Sequence, residues 1–317
     1  MEARRRGHEQ LLRWARALAV ERLWAVEDCR HVSLSLERFL LGRGERVVRV
    51  APRLMGEARK SVRRPGKSDA IDALAVARAG LRERELPEAF LAGPEREIKL
   101  LLDHHDDLVQ ERTRIQNRLR WHLHDLEPAL EPPAGALDRY CWLDRLERLL
   151  ADRAETTQAQ IAAELVGRCR DLTERIRQLE RELRTLIEQR AARLLALRGC
   201  GALTAGKLVA EIAGVHRFSN DAQLAKHAGS APLPASSGAR QRHRLNRGGN
   251  RQLNCALHRI AVSQGRCHPP AQAYLARKQA EGKSRKEALR CLKRHLARVV
   301  FRTLQQIEQE ANSRALT

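Results

Sequence analysis

Aromatic side chains are scarce in this chain: four Phe, four Trp and two Tyr make up 3% of 317 residues. A protein so poor in rings cannot depend on stacking successive bases of a single strand, because that mode needs an aromatic platform for each base. Cysteine is sparse too. The seven thiols are odd in number and none sits in a CxxC pair, which argues against a disulfide framework and a zinc ribbon and leaves reduced packing residues. No stretch approaches the ~18 uninterrupted apolar residues of a membrane span, and the opening MEARRRGHEQLLRWARAL carries arginines without an apolar run of signal-peptide length. The expectation is a cytoplasmic protein with no membrane partner. Acidic residues are in the minority: 39 Asp and Glu face 60 Lys and Arg, for a net charge of +21 and a pI near 10.9. That imbalance points to a polyanionic partner, nucleic acid first, bound through its phosphates.

The strand signals gather in one place. RLWAVE, then VSLSLERFLLGRG with Leu36, Phe39 and Leu40 at helical spacing, then ERVVRVAP read as strand, helix, strand. Such a βαβ unit builds a parallel sheet whose functional groups collect at the carboxyl ends of its strands, and Glu27 falls at one of them. From about 87 to 190 the chain becomes helical and charged. Leu101, Leu108 and Ile115 recur at seven residues, as do Leu119 and Leu126, before the breaker EPALEPPAG. Ala162, Cys169, Ile176 and Leu183 alternate with Leu165, Leu172, Leu179 and Leu186 in a stricter 3,4 pattern, a coiled-coil seam. The seam fits either two antiparallel helices of one chain or a dimer interface, and two nucleic-acid sites would favour the dimer.

LLALRGCGALTAGKLVAEIAGVHRF has the pattern of a helix-hairpin-helix. Gly199 and Gly201 free backbone amides to face a phosphate, and the helix begun near Thr204 adds the positive end of its dipole; a plain helical turn is the alternative. The loop GSAPLPASSGARQRHRLNRGGN follows, with Arg240, Arg242, Arg244, Arg247 and, just beyond it, Arg251 available for backbone contact. Two basic helices close the chain, near Arg251 to Gln264 and Ser284 to Leu304.

In GKSDAIDALAVARAGL, Ser68 or Asp69 suits a helix cap, and Asp72 would then meet the unpaired amides of the first turn. Asp69 and Asp72 also share a face at i and i+3, and with Glu27 they could form a carboxylate cluster of the kind Mg²⁺ prefers and phosphodiester transfer uses. Ser236 and Ser237 sit among arginines able to neutralise a phosphorane, although Ser-Ser-Gly near proline is also an ordinary turn. His243 could serve as a base or simply face phosphate. His122 and His124, two apart on a helix, diverge, and His104 and His105 do likewise; none is given a catalytic role.

AVEDCRHVSLSLERFLLGRGERVVRVAP, GKSDAIDALAVARA, LRGCGALTAGKLVAEIAGVHRF and APLPASSGARQRHRLNRGGNRQLNCALHRIA occur in an order that resembles the Piv/MooV-type DEDD transposases and recombinases of insertion sequences, the "IS one-ten" family. The resemblance covers nearly the whole chain. It implies an α/β plus α architecture: a RuvC-like (RNase H-like) domain over 1–90, a helical coiled-coil and dimerisation region over 91–190, and a mostly helical transposase domain over 191–317 with the helix-hairpin-helix and the serine loop. Carried over by position, Glu27, Asp69 and Asp72 correspond to the family's glutamate and last two aspartates, Ser237 to its nucleophile with Ser236 as fallback. The implied activity is strand transfer on double-stranded DNA by a homodimer or tetramer, with Mg²⁺ and a structured "bridge" RNA as guide. The family's first strand and its aspartate have no counterpart upstream of Glu27, so either the start is placed late or the copy is decayed, and the chain as it stands is expected to be weakly active or inactive. Two rivals are a nucleic-acid binder without catalysis and a RuvC-like nuclease with no covalent step.

Overall fold

The computed structural model describes residues 4–27, 30–50, 52, 54–56, 68–83, 86, 88–89, 94–234, 243–244, 246 and 248–315. It divides into two compact units, one made of 1–93 with 214–249 and the other of 94–213 with 250–317. Among the described residues no helix is long and apolar enough to cross a membrane.

The first unit holds the βαβ motif. Helix α1 (Arg5–Leu18) is followed by β1 (Leu23–Glu27), α2 (Arg30–Leu41) and β2 (Arg46–Val50), and the strands pair in parallel from Leu23 opposite Arg46 to Glu27 opposite Val50. On the far edge of β2, Val48 bridges Glu88 in the antiparallel sense. Successive side chains of a strand face opposite ways, and β2 uses both faces: Val47 packs with Leu12 of α1 and Leu40 of α2, while Val50 packs with Val76 and Ala79 of helix α3 (Asp69–Arg82). The valines of β2 are thus covered by helices on both sides of the sheet, as parallel strands usually are. Polar clamps fix its corners. Glu45 accepts from Arg16 of α1 at 3.1 Å, Arg22 at 2.8 Å and the Trp24 indole at 3.0 Å, and Arg49 of β2 grips Glu37 of α2 with two nitrogens at 2.8 and 2.5 Å. The same unit carries helix α8 (Asp221–His227), capped by Asn220, and a short antiparallel pair, β3 (Leu233–Pro234) with β4 (His243–Arg244).

The second unit is helical: α4 (Pro94–Leu126), α5 (Tyr140–Ala151), α6 (Thr157–Leu195), α7 (Ala202–Ile212), α9 (Arg251–Cys267), α10 (Pro269–Ala280) and α11 (Arg285–Ala315). Arg112 donates to Thr173 at 3.1 Å and His105 reaches Glu180 at 3.3 Å, while Gln158 donates to Asp125. As residue numbers rise on one helix they fall on the other, so α4 and α6 run antiparallel. The 3,4 seam serves this packing. Ala162, Leu165, Cys169, Ile176, Leu179 and Leu183 are all buried within the single chain, and Ile115, Leu119 and Leu123 of α4 with Leu143, Leu146 and Leu150 of α5 complete the cluster at its Ala162 end. Of the two uses open to the seam, the intrachain one is found, because one heptad stripe cannot face a second chain while its own neighbours cover it. Burial pushes the Cys169 thiol up to about 11 and that of Cys200 to about 12, which makes both inert. The six described cysteines are free.

The helices of 91–190 and most of those of 191–317 lie in this one unit, where α7 packs on α4 and α6. A third C-terminal helix, α10, was not expected. Pro269 and Pro270 occupy the first positions of α10, where a missing amide hydrogen costs nothing and the fixed φ suits the helix.

Glu45 is held at about 2, chiefly by its hydrogen bond to Arg22 against the opposing effect of burial. A depressed carboxylate adds stability above the unfolded-state value of ~4.3 and loses it as pH falls toward about 2. The protection factors of β1 and β2 amides, taken relative to the intrinsic exchange rate at each pH, should therefore fall across that acid window. Glu45→Gln should show faster exchange already at neutral pH and a flatter acid response, with the second unit's helices unaffected.

Candidate nucleic-acid interface

The carboxylates singled out by sequence lie where the βαβ unit sends them. Glu27 is the last residue of β1 and half-buried. Ser68 caps α3, its hydroxyl accepting from the Ile71 amide at 3.3 Å, so neither aspartate is the cap. Asp69 and Asp72 fall in the first turn, where the helix dipole favours negative charge. Asp69 is exposed, and Asp72 is half-buried with Oδ1 shielded from solvent. Helix α3 lies close against β1: a Cβ on Gly80 would stand 3.0 Å from that of Ala25. The donors are of the type that Mg²⁺ takes, but among the described residues no three His, Cys, Asp or Glu side chains converge on a point that could hold a metal. Glu27, Asp69 and Asp72 therefore supply the right chemistry without forming a closed set.

Ser236, Ser237, Arg240, Arg242 and Arg247 lie outside the described residues. The chain on either side of them is fixed. His243 and Arg244 are exposed on β4, opposite Pro234 and Leu233. Farther out, Gly229 and Gly249 meet backbone to backbone: a Cβ on Gly249 would fall 2.2 Å from the Gly229 nitrogen, a distance no side chain can occupy. Arg251 begins α9 and is exposed.

The helical turn in the second unit is built as its glycines require. Gly199 has φ +85°, and a Cβ there would come 2.7 Å from that of Ser263, so both conformation and space demand glycine. Gln264 holds the turn by donating to the Arg198 carbonyl at 3.0 Å. Gly201 is the N-cap of α7 and provides no side-chain acceptor, so the first amides of α7 are left for another partner. These amides open on a concavity of about 530 Å³ lined by Gly201 to Thr204, by Arg177, Glu180, Arg181 and Arg184 of α6, and by Arg259 of α9. Thr204 is only 8% exposed.

Behind the concavity runs a buried polar lattice that sequence reasoning missed. Lys207 of α7 donates to Asp106 of α4 at 2.8 Å and to Gln252 of α9 at 3.2 Å. His105, 5% exposed, lies 3.4 Å from Asp106 and 3.3 Å from Glu180. Burial works to raise the Asp106 carboxyl, but Lys207 and His105 outweigh it and hold it below the usual range. Lys99 binds Asp103 at 2.7 Å and Glu211 at 2.8 Å, and Glu211 accepts from Asn250 at 2.6 Å. Asn250 also caps α9, while Asn254 accepts from buried Lys293 at 2.8 Å. Burial, with Arg290 nearby, keeps that lysine below the usual range. The stretch GNRQLN was the available signal: its three amides at 250, 252 and 254 are the side chains that tie α9 to α7 and α11.

Comparison with known proteins gives two family matches. A family described as "Transposase IS116/IS110/IS902 family" matches residues 191–276, and a DEDD-type IS110 family described as "Transposase" matches residues 1–128. The chain is similar to the insertion element IS116 uncharacterized 44.8 kDa protein of Streptomyces clavuligerus, 28% identical over 89% of this chain and 82% of that protein. It is 28% identical to the insertion element IS110 uncharacterized 43.6 kDa protein of Streptomyces coelicolor over 75% and 70% of the two chains, and 25% identical to the insertion element IS900 uncharacterized 42 kDa protein of Mycobacterium paratuberculosis over 89% and 82%.

Gly201 has open space where a side chain would go, and aspartate is a better N-cap than glycine. Gly201→Asp should leave thermal stability equal or slightly higher. It should weaken nucleic-acid binding in a fluorescence titration, because a carboxylate would then occupy the amides and repel phosphate. Unchanged affinity would show that the turn meets no polyanion.

Proposed function

Because the chain belongs to the IS116/IS110/IS902 family of insertion-sequence transposases, we propose that it cuts and rejoins DNA through a phosphoserine intermediate, with Ser237 as nucleophile and Ser236 as fallback. The observation that carries this reading is the occurrence in one chain, in order, of the DEDD-type match at 1–128 and the second transposase match at 191–276. The parallel β1–α2–β2 unit with helices on both faces supports the RuvC-like assignment of the first region.

In the proposed step the serine Oγ forms a bond to a backbone phosphorus as the bond from phosphorus to a deoxyribose oxygen breaks. The Oγ proton leaves to a base or solvent, and the released sugar oxygen takes one up. A hydroxyl of the incoming strand then displaces the serine, so bond energy is conserved and no water is consumed. Arg240, Arg242, Arg244, Arg247 and Arg251 are the cations available to pair with DNA phosphates and with the charge that develops at phosphorus. Bound Mg²⁺ would supply Lewis-acid stabilisation of the oxygens, and Glu27, Asp69 and Asp72 are the residues that would hold it. The close approach of Gly229 and Gly249 brings together the described residues on either side of the serine-bearing segment. Gly199, Gly201 and Thr204 form a helix-hairpin-helix contact to the backbone. Double-stranded DNA, a structured guide RNA and a second or fourth copy of the chain are the proposed partners.

The surplus of basic residues, 60 Lys and Arg against 39 Asp and Glu, also fits one further reading, a nucleic-acid binder that does not cut. Denaturing gels of full-length protein incubated with Mg²⁺ and DNA carrying the element's ends separate the two. A protein-DNA adduct lost in Ser237→Ala supports the serine mechanism. Strand exchange that survives both Ser237→Ala and Ser236→Ala rejects it, and salt-sensitive binding with no adduct supports the binder.

A further inference from the structure

We propose that the concavity at the start of α7 is a socket for a phosphodiester backbone in which Arg181, Arg184 and Arg259 grip phosphate oxygens and the Thr204 hydroxyl donates to one of them. The inference rests on the reading of this turn as phosphate-facing and adds residues that no family match assigns.

Four observations converge on it. The start of α7 has no side-chain cap. Thr204 is more than nine-tenths buried, lines the cavity, and makes no side-chain hydrogen bond among the described residues. A hydroxyl that lines a cavity without a protein partner is free to donate to a ligand there. Arg177, Arg181 and Arg184 stand at i, i+4 and i+7 on one face of α6, a stripe about 10 Å long at the rise of a helix. That is longer than one phosphate and suits a segment of backbone. Finally, the arginines are available. Among the described residues Arg181 and Arg184 make only exposed ion pairs, to Glu174 at 3.4 Å and Glu188 at 3.6 Å, which are worth little and easily exchanged. Arg259 has no ion pair among the described residues. Arg177 is more committed, lying 4.2 Å over the Tyr140 ring.

The lining also limits the ligand. It contains no aromatic ring, so bases are not stacked there. All its cations are arginines, whose planar fork matches phosphate in a bidentate manner. Glu180 is the one carboxylate present, and it is directed to His105 at 3.3 Å.

The test is fluorescence anisotropy of the full-length protein without Mg²⁺ across a salt series, on a duplex DNA of arbitrary sequence and on an RNA hairpin. Each lost phosphate contact should lower the slope of log affinity against log salt by about 0.9 on duplex. The double variant Arg181→Ser, Arg184→Ser should therefore lower it by roughly 2, while Arg145→Ser on α5, outside the socket, should not. Thr204→Val should weaken binding severalfold with the slope unchanged. A slope change on DNA alone assigns the socket to DNA, on RNA alone to RNA, and on both to either backbone; each supports the proposal. Slopes equal to that of Arg145→Ser on both probes overturn it. If Gly201→Asp weakens binding while the arginine variants do not, the phosphate-facing turn stands and the arginine socket falls. A slope change in a protein that forms no DNA adduct would leave the socket standing and remove the transposition mechanism.

Discussion

Lys207 and Asp106 form an ion pair inside the second unit, and the arrangement of its helices follows from the need to satisfy them. A lysine that is 8% exposed is tolerable only if it is paired and hydrogen-bonded. Asp106 from α4 and Gln252 from α9 meet that need, so α7 can sit only where both reach its second turn. Asp106 in turn engages His105, and His105 reaches Glu180 of α6. A pair of this kind contributes little net stability, because desolvation offsets the Coulomb attraction. Its consequence is positional: it fixes the rotation and height of α7, and with them the direction in which the uncapped amides point.

The long helix α6 serves two purposes through its two faces. Inward, its 3,4 stripe packs against α4 and α5, which accounts for the heptad pattern without a second chain. Outward, Arg177, Arg181 and Arg184 are left beside the start of α7. The helix departs from regular geometry at Ala191, with φ −149° and ψ 39°, just before the chain turns through Gly199. The hairpin thus joins a rigid charged rod to a helix N-terminus, and both elements favour anions for independent reasons, side-chain charge in one and the backbone dipole in the other.

The first unit solves a different problem. Its parallel strands must be covered on both faces, and the buried Glu45 and Glu37 carboxylates, each held by arginines, join the helices to the strands at the edges. Position rather than closure is what this unit gives Glu27, Asp69 and Asp72: a strand end and a helix start, the places where an α/β sheet presents its chemistry. The pinched glycines at 229 and 249 bring together the described residues on either side of the serine-bearing segment.

Local pattern was enough to read the βαβ unit, the 3,4 seam of α6, the Gly199 turn and the family resemblance, because alternation, helical period and glycine at a positive φ are consequences of chain geometry over a few residues. The surplus of arginine was likewise legible as a polyanion partner. What the sequence left undecided were choices among partners distant along the chain. Ser68 and Asp69 were equal candidates for the cap until α3 was placed; the seam of α6 suited two chains or one; His105 was given no catalytic role, and spacing offered no sign of its contacts with Asp106 and Glu180. GNRQLN served only as a family signature until Asn250, Gln252 and Asn254 met Glu211, Lys207 and Lys293. Arg177, Arg181, Arg184 and Arg259 were four among sixty basic residues. Only the packing of α6, α7 and α9 brought them to one concavity, since burial and charge pairing are settled by contacts that sequence spacing does not encode.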